Sequence, residues 1–291
     1  MSSFANLFQD PPPTHIFELS EKGLAFAAVS EPEAAGFTPF DAGILLVSPV
    51  HDNIQQPGLV QERIRASIPP NGKRRAALIL PDYCARVAVL DFDAFPAAHE
   101  EQQALVRFRM KKSVPFDVDS AVVSYYSQPR AGSGGEIEVV VAVMALEIVS
   151  RYEAPFRAAG FHPGLITTSA LAALNLIKPD RLTLLAKLGG RALTVFVLDG
   201  STLKLARCIE LESGDSGEVE SILHPTLAYI EDELKNPAKR ILLSGFGADG
   251  EPLAARWQEE WGIPVELLRS RWGAPSAENA GLLGYLESVD A

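Results

Sequence analysis

The sequence predicts a duplicated α/β fold, with two halves facing each other across a central cleft. Three observations point to it. Each half opens with antiparallel strand-like runs joined by tight turns, then continues with helices alternating with apolar strands. The turn signals are strongest at Gly189-Gly190 and Asp199-Gly200, dipeptides whose backbone suits two-residue hairpin loops. The chain is 291 residues long, close to two domains of roughly 150 residues each. Only the order of elements repeats; the residues themselves do not.

In chain order, the expected organisation is a tail over 1–13, a first half over 14–166 with a small inserted subdomain, and a second half over 167–291 whose last helix packs back on the first. The first half begins with a hairpin, His15–Leu19 and Leu24–Ser30, around Ser20-Glu21-Lys22-Gly23. A third strand is expected at Gly43–Ser48 and a helix at Leu59–Ser67. Arg75–Leu80 and Ala85–Leu90 read as strands, the former apolar throughout and so expected to be buried on both faces. The helix Ala97–Lys112 stops at Val114-Pro115, because a residue before proline disfavours the α region. A second hairpin, Val122–Gln128 and Glu136–Met144, is expected over the glycine-rich loop Arg130–Gly135. Then come a helix at Glu147–Ala159 stopped by Gly160, a short strand at Gly164–Ile166 and a helix at Ser169–Ile177.

The second half starts with a meander of Leu182–Leu188, Ala192–Leu198 and Leu203–Ile209. A long helix over Glu218–Leu234, strand Arg240–Ser244, helix Asp249–Trp261, strand Val265–Leu268 and helix Ala277–Leu286 follow.

Composition narrows the function. Twenty-six basic against 37 acidic residues leave a net charge of −11, which argues against a nucleic-acid binder. No stretch reaches the ~18 apolar residues of a membrane helix, and the first residues carry neither a basic nor an apolar signal-peptide region, so the expected location is the cytoplasm. The two cysteines, Cys84 and Cys208, sit in separate apolar runs and read as buried reduced thiols. The five histidines show no metal-ligand spacing, and no P-loop motif is present. Arg107, Arg109, Lys111 and Lys112 crowd the end of one helix, where cations complement its dipole.

Two motifs invite sharper readings. Gly245-Phe246-Gly247-Ala248-Asp249-Gly250 is a G-x-G-x-x-G between a strand and a helix, with Glu266 after the next strand. A dinucleotide unit needs further βα units beyond that acid, and 25 residues (291 − 266) do not supply them. Gly214-Asp215-Ser216-Gly217 matches the serine loop of trypsin-like proteases, but those are all-β double barrels; a loop capping the next helix through Asp215 or Ser216 is the simpler reading.

Five segments in order resemble the PilM family of type IV pilus assembly proteins and, more distantly, the cytoplasmic domain of type II secretion protein L. They are Val106–Phe116 with Asp117, Asp119 and the strand after them; Ala158–Ile166 with Ser169–Ala173; the meander Leu182–Ile209; Ile241–Ala248 with Trp261–Val265; and Asn279–Tyr285. The resemblance implies an actin-like (ribonuclease H-like) ATPase fold, two duplicated domains around a nucleotide cleft. It also implies a cytoplasmic scaffold, peripheral to the inner membrane, that docks the N-terminal peptide of a bitopic PilN-like partner.

In that family two hairpin turns grip the nucleotide phosphates and an acid from each places Mg²⁺. The corresponding triplets here are Glu18-Leu19-Ser20 and Lys187-Leu188-Gly189, so one acid is lengthened and the other is a cation. The site residues implied are Glu18, Ser20, Lys187, Gly189, Gly190, Thr194, Gly245 and Gly247. Because a lysine repels Mg²⁺, the expectation is weak ATP–magnesium binding or none, and no meaningful hydrolysis. An active ATPase or kinase of the same superfamily is the alternative. The sequence leaves open pilus against secretion system, and whether the chain self-associates.

Overall fold

The computed structural model describes residues 12–68, 74–128 and 137–289. Most of the tail 1–13, the loop Arg130–Gly135 and Glu136 therefore lie outside the described residues.

The first half contains β1 (His15–Ser20), β2 (Gly23–Ala28), β3 (Glu31–Pro39), α1 (Pro57–Ser67), β4 (Arg75–Leu80), β5 (Arg86–Phe92), α2 (His99–Met110), β6 (Ala121–Ser127), β7 (Ile137–Ala145), α3 (Leu146–Ala158) and β8 (His162–Thr168). After it come α4 (Ser169–Ala173), β9 (Thr183–Gly189), β10 (Ala192–Asp199), β11 (Thr202–Glu210), α5 (Ser216–Leu234), β12 (Arg240–Ser244), α6 (Gly250–Trp261), β13 (Val265–Leu267) and α7 (Ala280–Val289).

The duplication is visible in the sheets. One runs β3-β2-β1-β4-β8 and another β11-β10-β9-β12-β13, so each places an antiparallel meander beside two parallel strands. A third sheet, β5-β7-β6, is formed by strands that lie between β4 and β8 in the chain. β4 is buried on both faces, with Ala76 to Leu80 all at 0% exposure, as its unbroken apolar run predicts.

The meander of the first half departs from expectation. Its third strand is β3, and Gly43–Ser48 is not a strand: Leu45 makes only an isolated bridge to Ile54. Ile44 and Leu45 are apolar because they plug the core as coil, with Asn53 closing the loop on Ser48 N at 2.8 Å. β3 is a mostly exposed edge strand, so it lacks the alternation that marks a half-buried one. The helix expected at Ser169–Ile177 ends as α4 at Ala173 and continues as a 3₁₀ turn, Leu174–Leu176.

Asp215 caps α5, accepting from Glu218 N at 2.9 Å, which accounts for the Gly-Asp-Ser-Gly loop. The basic end of α2 is tied down: Arg107 donates to Val118 O and Ala121 O, and Arg109 lies over the Phe92 ring at 4.9 Å. No helix among the described residues is long and apolar enough to cross a membrane.

The halves meet through an apolar seam. Val87 of β5 packs in one cluster with Leu185, Phe196, Leu203 and Ala206 of the β9–β11 meander. Beside it, the buried Gln128 side chain donates to Leu203 O at 2.8 Å and accepts from Leu203 N at 2.7 Å, and Lys204 pairs with Glu138 at 2.7 Å. The last helix, α7, packs on the β1–β4 face through Leu282, Leu283 and Leu286.

Candidate functional site

The duplicated hairpins bring opposite charges to one cleft. In the first, Ser20 pairs with Gly23 and Glu18 with Ala25; in the second, Gly189 pairs with Ala192 and Lys187 with Thr194. Glu18 and Lys187 thus occupy the same register position, two residues before the closing pair. Both are buried, each 1% exposed.

Lys187 reaches across the cleft and donates from Nζ to Asp82 Oδ2 at 3.0 Å. Asp82 lies in the short 3₁₀ turn Asp82–Cys84 that follows β4. Its other oxygen, Oδ1, accepts from Ala170 N at 2.7 Å, at the start of α4. Glu18 accepts from the Ser169 hydroxyl and, through Oε2, from Leu282 N at 2.7 Å in the first turn of α7. Sequence reasoning missed Asp82 and Ser169. Asp82 carried one faint signal, an acid two residues after a fully apolar strand; Ser169 carried none.

The electrostatics follow from burial. Desolvation pushes the Glu18 carboxyl up to about 7, against the opposite pull of Lys187, the Ser169 hydroxyl and the Leu282 amide. For Lys187, burial pulls the ammonium down, and Asp82 and Glu18 together more than reverse it, so its pKa stands above the ordinary lysine value. Burial also pushes the Cys84 and Cys208 thiols up to about 12, leaving neither as a nucleophile.

The remaining predicted residues take these places. Ser20 Oγ closes its own turn, donating to Gly23 O at 3.1 Å. Gly189 lies beside Lys187: a Cβ there would stand 3.3 Å from Nζ. Gly190 adopts φ +59°, next to the Glu21 carboxylate, which in turn accepts from Val47 N at 2.9 Å. Thr194, in register with Lys187, is engaged with Cys208 Sγ at 3.4 Å. Gly245, at φ +83°, is pressed on the second hairpin, and a Cβ there would fall 2.1 Å from Leu188 O. Gly247, at φ +56°, lines a 300 Å³ pocket with Ser244, Phe246, Leu267 and Glu278, rimmed by Lys22, which pairs with Glu278 at 3.3 Å. The structure therefore joins Glu18, Lys187 and Gly189 in one charged core. It leaves Gly245 and Gly247 lining a separate pocket and Ser20 in its turn.

No family model matches the chain, and no curated protein matches it. Solved structures do. The PilM-PilN type IV pilus biogenesis complex matches with a TM-score of 0.72 at 18% identity, over 95% of this chain and 98% of that one. The cytoplasmic domain of EpsL, an inner membrane component of the type II secretion system of Vibrio cholerae, matches with a TM-score of 0.56 at 11% identity, over 95% and 94%. A Bacteroides thetaiotaomicron protein of unknown function with an actin-like ATPase fold matches at 0.53 and 12%, over 94% of both chains. The fold is that of the actin-like ATPases. Over nearly the whole chain, the structure is similar to the matching chain of the PilM-PilN complex and to the cytoplasmic domain of EpsL.

Proposed function

We propose that this chain is a cytoplasmic scaffold of an inner-membrane assembly platform of the type IV pilus or type II secretion kind, with an actin-like body whose nucleotide cleft has degenerated. The observation that carries the loss of the nucleotide is the Lys187–Asp82 pair. In the family that the chain resembles, an acid from each hairpin places the magnesium of the nucleotide. The second hairpin instead offers a buried ammonium, which repels a divalent cation and is held at 3.0 Å by a carboxylate. These residues do not fit a magnesium nucleotide.

The platform role is supported by the full-length likeness to the PilM-PilN complex. On this reading the partner is a bitopic membrane protein of PilN type, whose extended N-terminal peptide docks in the first half. Two features of the first half support this reading. β6 is the outer strand of the β5-β7-β6 sheet. Beside it opens a mostly apolar groove of 190 Å³ lined by Val122, Val143, Met144, Val149, Ile166 and Leu171. An outer strand, paired on one side only among the described residues, with an apolar groove beside it suits an added peptide strand.

Calorimetric titration tests both parts. ATP with Mg²⁺ at millimolar concentration should give no binding heat, and a synthetic peptide of the partner's N-terminus should bind. Val122→Asp, at a position 42% exposed, should abolish peptide binding while leaving the thermal midpoint in place. Binding of ATP would overturn the degenerate cleft, and an unaffected Val122→Asp would overturn the groove.

A further inference from the structure

The groove offered to the partner's N-terminus is small, and a second one continues it. Ser120 and Val122 flank Ala121, the first residue of β6, and Met144 and Ala145 adjoin at the β7–α3 junction. Val122 and Met144 line the 190 Å³ groove, whereas Ser120 and Ala145 line its neighbour, a cavity of 690 Å³. The larger cavity lies between the first turn of α3, the turn before β6 and the coil around Val50.

Its lining is apolar with an acidic rim. Val50 and Leu146 are large apolar side chains left 45% and 53% exposed, and the half-buried Phe116 stands with them. Together with Val122 they form an apolar strip over both cavities, and contiguous apolar exposure marks a binding surface. Asp52 and Glu147 line the same cavity and share one cation: Arg151 Nε is 3.5 Å from Asp52 and its Nη2 is 3.7 Å from Glu147. Two carboxylates against a single guanidinium leave negative charge in excess. Asp117 and Asp119 lie beside Phe116 and Ser120 in the chain, and among the described residues no lysine or arginine is on the lining. The smaller groove carries no ionisable group at all on its lining.

Membrane topology supplies the occupant. A bitopic protein with a cytoplasmic N-terminus is oriented by lysines and arginines on the cytoplasmic flank of its membrane helix. The segment leading from a docked N-terminus to that helix is therefore basic. An acidic, apolar cavity continuous with the docking groove matches it in charge and in position.

We infer that the 690 Å³ cavity is a second docking subsite for the same partner. It takes the stretch between the docked N-terminus and the membrane helix, seating an apolar side chain on Val50, Phe116 and Leu146 and a lysine or arginine against Glu147 and Asp52. The inference rests on the platform reading, and it adds a charge determinant of partner choice that the smaller groove lacks.

Two synthetic peptides, titrated into the full chain by fluorescence anisotropy, separate the subsites. One is the partner's N-terminus alone, and the other extends it to the first residue of its membrane helix. The longer peptide should bind about tenfold tighter. Salt at about 0.5 M should remove most of that gain and spare the shorter peptide. Glu147→Lys, at a side chain 79% exposed, and Leu146→Ser should each weaken the longer peptide by about fivefold. Both variants should leave the shorter peptide's affinity and the Tm unchanged. Glutamine in place of the longer peptide's lysines and arginines should reproduce the effect of Glu147→Lys. Equal affinities of the two peptides, or a gain untouched by both variants, would overturn the subsite and leave the docking groove standing. If neither peptide binds, the platform reading falls and the subsite falls with it.

Discussion

The β1–β2 and β9–β10 hairpins stand at equivalent places in the two halves, yet they solve their burial differently. Glu18 is satisfied on its own sheet, by the first turns of two helices that pack there. Lys187, at the same register position, finds its partner only across the cleft. The turns differ too. The first closes through the Ser20 hydroxyl with no left-handed residue, whereas the second depends on Gly190 at φ +59°. Duplication therefore supplies the geometry, and the charge placed on it decides whether the cleft needs an ion from outside. Two acids at these positions would repel and call for a metal; an acid facing a base, with Asp82 beside it, is neutralised from within.

The comparison breaks most severely at Asp82. Asp82→Ala strands a buried ammonium and uncaps the start of α4, so a loss of about 3–5 kcal/mol is expected in denaturant unfolding. A loss under about 1 kcal/mol, the range of exposed pairs, would show that the two hairpins are not joined by this bridge.

Glu18 sharpens it through pH. Its carboxyl is raised to about 7 in the fold from an ordinary 4.5. The folded chain therefore binds more protons between those values, and the contribution is fully present below about 4.5 and lost as pH rises through about 7. Glu18→Gln keeps a carbonyl for Leu282 N and an amide for the Ser169 hydroxyl, and it should flatten that decline. The flattening is worth on the order of 3 kcal/mol across the window, read from unfolding midpoints at a series of pH values. An unchanged slope would assign the decline to other groups.

The smallest effect belongs to the turn. Gly190→Ala forces a side chain into the left-handed region, 3.2 Å from the Glu21 carboxylate, and about 1–2 kcal/mol should be lost. No loss would mean that the second turn tolerates a non-glycine backbone as the first does.

Much of this architecture was legible. Apolar runs located β4 and β12, and the Gly189-Gly190 and Asp199-Gly200 dipeptides located the second meander, because buried strands and tight turns leave local signatures. β3 was not legible: its nine residues are largely exposed, and edge strands are specified by the neighbour they pair with. Ile44 and Leu45 misled for the opposite reason, being apolar for the core while their backbone is coil. At the cleft, resemblance pointed to Glu18 and Lys187, but as damaged phosphate loops. Nothing near Lys187 in sequence announces Asp82, 105 residues earlier, or ties Ser169 to Glu18, 151 residues earlier.

Sequence alone determined most of the duplicated order of elements, the places of the hairpins and the opposite charges two residues before their closing pairs, since periodicity, turn chemistry and residue identity are local properties. Tertiary structure decided what those charges do. A buried lysine is either a fault or a clamp depending on whether a carboxylate meets it in the dry cleft, and that meeting exists only once the halves have closed on one another.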